Sequence, residues 1–342
     1  MKPTSLLIPI VVMLLIVSII EWMAFRLVKR RWDEKKWWPM FGLLWLIISV
    51  SLWGCVTISL INFESWSARM PSIVGIFTIA FFVNLIPKIV MAIFQVTDDL
   101  RYLTQFTMKK ITRGERGIPR STFLNYIGAG LASLTFGAMF YAVTKGKYDY
   151  RVEKIKVLID GLPDTFKGLR IVQISDAHLG SFVGEPQAVL DALQTVNDLK
   201  PDVILFTGDL VNSKADEAES WIDAFSKLDA PMGKYSIMGN HDYAEYGDFA
   251  PGESEASVKR LQEIHEEMGF RLLLDEHVHL RRAEDRLVLA GVENWSKRAF
   301  GKRGDIEKAL ANSDSDSLTT ILMSHDPTHL AHLLTVPQPP LP

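Results

Sequence analysis

The chain has 342 residues, 48% of them apolar, with a formal net charge of −3 and a single cysteine, Cys55. The near-neutral balance gives no basic footprint for a nucleic acid, and one thiol excludes both an intrachain disulfide and a cysteine-based zinc or redox site. Nearly all of the apolar excess falls before residue 146, so the composition divides the sequence into a membrane part, 1–145, and an α/β part, 146–342.

Four stretches, 5–25, 41–61, 73–94 and 123–143, are apolar and long enough to cross a bilayer core, which takes about 20 helical residues. The first lacks a small-residue cleavage site and is followed by more spans, so it reads as a retained anchor. Lys and Arg cluster after the first span (Arg26, Lys29, Arg30, Arg31, Lys35, Lys36) and before the fourth (Arg101, Lys109, Lys110, Arg113, Arg116, Arg120). Basic loops resist translocation, so both clusters are expected in the cytoplasm and the α/β part outside it. The bases Lys145, Lys147, Arg151, Lys154 and Lys156, just after the fourth span, weigh against that orientation. Trp37 and Trp38 read as interfacial anchors. Asn84, Pro87 and Lys88 read as a proline kink with Lys88 snorkelling to the interface, in preference to a polar path, because Lys88 is the one charge expected inside a span.

Beyond residue 145 short apolar strands are expected at 169–175, 203–207, 235–238, 287–292 and 318–323. Amphipathic helices are expected at 186–199, 217–228 and 254–268. In such α/β sheets the functional groups gather on loops past the carboxyl ends of the strands. Asp176-Ala177-His178 follows the first strand and sets a carboxylate and an imidazole two residues apart. Thr207-Gly208-Asp209 ends the second, with glycine freeing the turn and Asp209 at the tip. Gly239-Asn240-His241-Asp242 follows the third, and Ser324-His325-Asp326 the last. One such cluster is commonly a helix cap or a turn. Four in order, each at a strand end, point to a divalent-metal site.

In that order and composition the motifs resemble those of the calcineurin-like metallophosphoesterases, and the layout is similar to their membrane-anchored bacterial branch. The resemblance implies an αββα sandwich behind four transmembrane helices, and phosphomonoester or phosphodiester hydrolysis at a dinuclear centre with a bridging hydroxide. It implies Asp176 and His178 on one ion, Asn240 and His325 on the other, and Asp209 bridging both. It further implies His241 beside the substrate phosphate as proton donor or transition-state stabiliser, with Asp242 fixing its orientation. Mixed His, Asp and Asn ligands suit Mn, Fe or Zn. Relatives act on lipid precursors such as UDP-diacylglucosamine, so the implied partners are the bilayer and a phosphoester that is lipid-linked or part of the envelope.

The family's Gly-His-x-His motif does not occur in the sequence, and the expectation is a chain cut short after His325 with its sandwich incomplete. The alternative is an inactive membrane protein with a binding or assembly role. His329 and His332, three apart, could share a helix face and bind metal, but surface positions are the expectation. A solvated edge is expected for His277 and His279, and a helix surface for His265.

Overall fold

The computed structural model describes residues 3–32, 34–61, 71–112, 122–182, 186–297, 301–313 and 319–335. The chain divides into two compact units, Met1–Tyr150 and Arg151–Pro342.

Among the described residues the first unit holds four α-helices: α1 (Pro3–Trp32), α2 (Trp38–Ile61), α3 (Pro71–Thr112) and α4 (Thr122–Thr144). Each contains a segment long and apolar enough to cross a membrane: Ile8–Lys29, Trp38–Ile61, Val74–Thr104 and Tyr126–Thr144. Their outward faces carry Ile8, Leu15, Leu43, Ile76 and Leu134, the reverse of a water-soluble bundle, while Val17, Val56, Phe81 and Leu85 meet inside. The third helix is longer than expected, because nothing in its basic second half breaks a helix; Arg101, Lys109 and Lys110 lie on α3 and not in a loop. Arg113, Arg116 and Arg120 lie outside the described residues.

Lys88 does not snorkel. Its Nζ donates to Glu21 Oε1 at 2.7 Å and to Ser49 Oγ at 2.8 Å, and it lies 4.4 Å from the centre of the Trp45 ring. Trp45 Nε1 donates to the other Glu21 oxygen at 2.7 Å. Glu21 and Lys88 are both buried, so the spans hold a neutralised pair and not one lone charge. An ammonium inside a bundle is tolerated when a carboxylate and a hydroxyl replace its water, and here α1 supplies the carboxylate while α2 supplies the hydroxyl and the indole ring. A second cross-helix pair joins Arg26 to Asp99 at 3.2 Å. Trp38 is also no interfacial anchor: it is buried against Phe25 and Phe41, with ring centres 5.2 and 5.5 Å away. Trp37 stays exposed.

In the second unit β1 (Ile171–Ile174), α5 (Pro186–Asp198) and β2 (Val203–Phe206) come first. Two short helices follow, α6 (Asp216–Glu219) and α7 (Ile222–Ser226), then β3 (Lys234–Ser236), α8 (Glu253–Glu267) and β4 (Arg271–Leu272). One helix was expected over 217–228; the chain instead breaks at Ser220 and Trp221, with Ala218, Trp221 and Phe225 all in the core. The unit continues with β5 (Glu276–Arg282), β6 (Asp285–Gly291), α9 (Ile306–Leu310), β7 (Thr320–Met323) and α10 (Pro327–Thr335).

The strands form a parallel sheet in the order β1-β2-β3-β4 and a second, mixed sheet, β5-β6-β7. β2 shows why they stack. Its side chains alternate, so Ile204 and Phe206 pack against α5, α7 and α8, while Val203 and Leu205 meet Val278 and Leu280 of β5 and Leu287 and Leu289 of β6. With α9 against β5 and β6, the layers are helix, sheet, sheet and helix, the α/β sandwich expected of a metallophosphoesterase.

Four histidines differ from their expected surroundings, among them His329 of α10, which is buried against Trp295 where a surface position was expected. His265 of α8 is buried beside Phe206 and Phe270, with neither ring nitrogen hydrogen-bonded; the core has closed over a position whose helical spacing suggested surface. Burial drives its pKa down to about 4. His277 and His279 are half-buried, and their rings bond to the carbonyls of Ala309 and Ser313, so the segment around α9 covers the strand that was expected to be a solvated edge.

Candidate metal centre

The site lies at the carboxyl ends of β1, β2, β3 and β7. The loops after β1 and β2 are tied together: Asp176 N donates to Gly208 O and His178 N to Asp209 O. Asp176, His178 and Asp209 all have positive φ, of 54°, 43° and 58°, which an L-residue adopts at a cost of about 1–2 kcal/mol. Such strain gathers where function needs side chains to converge. Two glycines make the convergence possible. A Cβ on Gly208, whose φ is +98°, would collide with Gly239 N, and one on Gly239 would collide with Asp209 Oδ1. The loops after β2 and β3 therefore cross in contact, and His241 N can donate to Asp209 Oδ1 at 2.9 Å.

Two groups of donor atoms result, His178 with Asp209 and His241, and Asp176 with Asp209 and His325, each group lying within 4.8 Å. Asp209 belongs to both. His178 Nε2 lies 3.8 Å from Asp176 Oδ1 and 3.6 Å from Asp209 Oδ2; His325 Nε2 lies 3.4 Å from Asp209 Oδ2 and 3.2 Å from Asn240 Oδ1. An ion bound at about 2.0–2.2 Å spaces its ligand atoms by roughly 3–3.5 Å, so these separations fit donors around a cation with small adjustments. All five ligand residues read from the sequence thus share one rim. The grouping differs from the expected pairing in setting Asp176 with His325 and bringing His241 among the donors.

The electrostatics suit cation binding. Burial works to raise the pKa of Asp209, but the bond and charge of His325 and the His241 amide outweigh it and hold the carboxyl low. Burial works in the opposite sense on His325, and Asp209 and the Thr207 carbonyl outweigh it, raising that ring to about 9 without a metal. His325 Nδ1 donates to Thr207 O at 2.8 Å, so Nε2 is the nitrogen turned toward Asp209, and a cation bound there would take the place of its proton.

Asp242 does not orient His241. It is buried and accepts from the backbone nitrogens of Asp209, Leu210, Val211 and Gly239, so it clamps the two crossing loops. Burial pushes its pKa up to about 7. The orienting group is the carbonyl of Asn212, 2.7 Å from His241 Nδ1. His241 also meets the His178 ring edge-on at 4.8 Å and stacks on Tyr246 at 4.1 Å. A main-chain carbonyl leaves no mark in side-chain chemistry, and Tyr246 stands outside every motif, so neither was readable in advance. His329 and His332 do not reach the site: both stack on Trp295, and His329 is buried with Nδ1 at Ser324 Oγ, while His332 is exposed.

Sandwich, rim and donor set together define a metallophosphoesterase domain behind a membrane-spanning bundle. Residues 4–147 match the family described as "Probable Calcineurin-like phosphoesterase, transmembrane domain", and residues 169–338 match "Calcineurin-like phosphoesterase". The chain belongs to the calcineurin-like phosphoesterases and is a membrane protein. It is 30% identical over 193 residues to a transmembrane protein with metallophosphoesterase domain from Danio rerio, covering 55% of this chain and 41% of the relative. It is 40% identical over 169 residues to the uncharacterized metallophosphoesterase YkuE of Bacillus subtilis, 48% of this chain and 54% of that one. It is 43% identical over 209 residues to the UDP-2,3-diacylglucosamine pyrophosphatase LpxG of Chlamydia trachomatis, 50% of this chain and 60% of that enzyme. The matches to the vertebrate relatives, from Danio rerio and Bos taurus, span about two fifths of those proteins.

Proposed function

We propose that this chain is a metal-dependent phosphoester hydrolase anchored in a bacterial cytoplasmic membrane, with its catalytic domain on the outer side and a lipid-linked phosphoester as substrate. The observation that carries the reading is Asp209, one buried carboxylate common to two groups of donor atoms. Asp176, His178, Asp209, Asn240 and His325 would hold two divalent ions from among Mn, Fe and Zn. Bound there, the ions would supply charge to stabilise the phosphoryl oxygens and would make water acidic enough to attack at neutral pH. His241, steered by the Asn212 carbonyl, presents Nε2 as the group that gives a proton to the leaving oxygen.

The lipid-linked substrate rests on the four apolar helices and on the pyrophosphatase relative. The orientation rests on the two basic segments, whose members Arg26 and Arg101 approach the same acidic pair, Asp99 and Asp98. The test is Mn titration of the full chain in detergent, followed by hydrolysis of an aryl phosphodiester and of a lipid-linked diphosphate. Mn uptake with Mn-dependent turnover is expected. A chain that binds no Mn, Fe or Zn overturns the reading in favour of an inactive membrane protein.

A further inference from the structure

The segment after the Asn240–Tyr243 turn is held in place from several sides. Ala244 takes a left-handed backbone, φ 59°, although it is not glycine, and it is buried. Glu245 next to it accepts from Arg303 at 2.9 Å, and the same guanidinium lies 4.4 Å from the centre of the Tyr243 ring. Tyr243 Oη in turn donates to Glu293 at 3.0 Å. The chain thus accepts local strain, braced by an ion pair and a cation–π contact, to bring Tyr246 back over the turn it has just left.

There Tyr246 makes two contacts with the site. Its hydroxyl oxygen accepts from Asn240 Nδ2 at 2.8 Å, and its ring lies nearly parallel to that of His241, 14° apart with centres at 4.1 Å. The first contact uses the amide nitrogen, which can only repel a cation, and leaves Asn240 Oδ1 pointing to His325 Nε2. The second closes one face of His241, whose edge contact with His178 and bond to Asn212 O limit its other movements.

We propose that Tyr246 is a positioning residue with two separable duties: its hydroxyl sets the Asn240 amide for metal, and its ring holds His241 for proton transfer. This rests on the metal-dependent hydrolase reading above. It goes beyond that reading in assigning both duties to a residue outside the ligand and proton-transfer set.

The test uses the full chain in detergent, with Mn affinity read by calorimetry and aryl phosphodiester turnover read at limiting and saturating Mn. Tyr246→Phe is expected to weaken Mn binding about tenfold, the low end for loss of a group that orients a ligand, and saturating Mn is expected to recover most of its turnover. Tyr246→Ala is expected to share that affinity loss and to stay about tenfold or more slow at saturating Mn, within the range of a general-acid contribution. A residue that merely filled space would not separate the two readouts. Wild-type affinity in Tyr246→Phe overturns the hydroxyl's duty, and full turnover of Tyr246→Ala at saturating Mn overturns the ring's. Wild-type protein that takes up none of Mn, Fe or Zn overturns the hydrolase reading and this inference with it, whereas normal metal uptake with unaffected variants overturns this inference alone.

Discussion

Nδ1 of His241 faces the main-chain carbonyl of Asn212 at 2.7 Å, so Nδ1 keeps a proton in either charge state and Nε2 is the nitrogen that gains a proton and gives it up. His241→Ala is expected to retain Mn while losing about 10²–10⁴-fold in aryl phosphodiester turnover, the usual range for a general acid. Calorimetry and kinetics on the same preparation check both halves. Because His241 also lies with His178 and Asp209, a loss of Mn affinity as large as the loss of turnover would make it a ligand and not the proton donor.

What the sequence showed of this arrangement, and what it hid, follows from the nature of each contact. Asp176, His178, Asp209, Asn240 and His325 were legible because each follows an apolar strand, and strand ends on one edge of a sandwich must converge. The clamp by Asp242 was not, because its partners are four backbone nitrogens brought together only when Gly208 and Gly239 cross. Lys88 was misread for a similar reason. Its partner Glu21 lies 67 positions away near the charged end of α1, and no local pattern announces a pair between separate helices.

Asp209→Asn removes the one carboxylate common to both donor groups. It is expected to abolish Mn uptake at both positions, where a loss at a site-specific ligand such as Asp176 would leave one. Metal content after dialysis against micromolar Mn distinguishes the outcomes, with circular dichroism as the check that the sandwich persists. Half the wild-type metal in Asp209→Asn would show that the carboxylate serves a single ion.

Glu21 and Lys88 are expected to be worth more together than apart. Lys88→Met leaves Glu21 buried without its cation, at a cost of about 3–5 kcal/mol, while the double change Glu21→Leu with Lys88→Met removes both charges and is expected to regain most of that loss. Thermal unfolding in detergent measures the cycle, and Trp45 fluorescence reports on it directly, since the indole touches both partners. A Lys88→Met chain as stable as its parent would mean that the pair does not hold α1 to α3.

His265 gives the phosphoesterase domain a pH dependence that needs no metal. The ring is buried with both nitrogens unbonded, and its pKa falls from 6.5 to about 4, so between those values the unfolded chain binds a proton that the folded chain refuses. Stability from this residue is full above pH 6.5 and is lost as the pH falls toward 4. His265→Leu is expected to flatten that slope, and to raise stability at neutral pH by about 1 kcal/mol because two unbonded polar atoms leave the core. Urea unfolding at pH values across that window measures both effects. An unchanged slope in His265→Leu would mean that other groups govern the acid response. Asp242 argues in the opposite sense, since burial raises a carboxyl's pKa and favours the folded state as it protonates, so the sign of the slope separates the two.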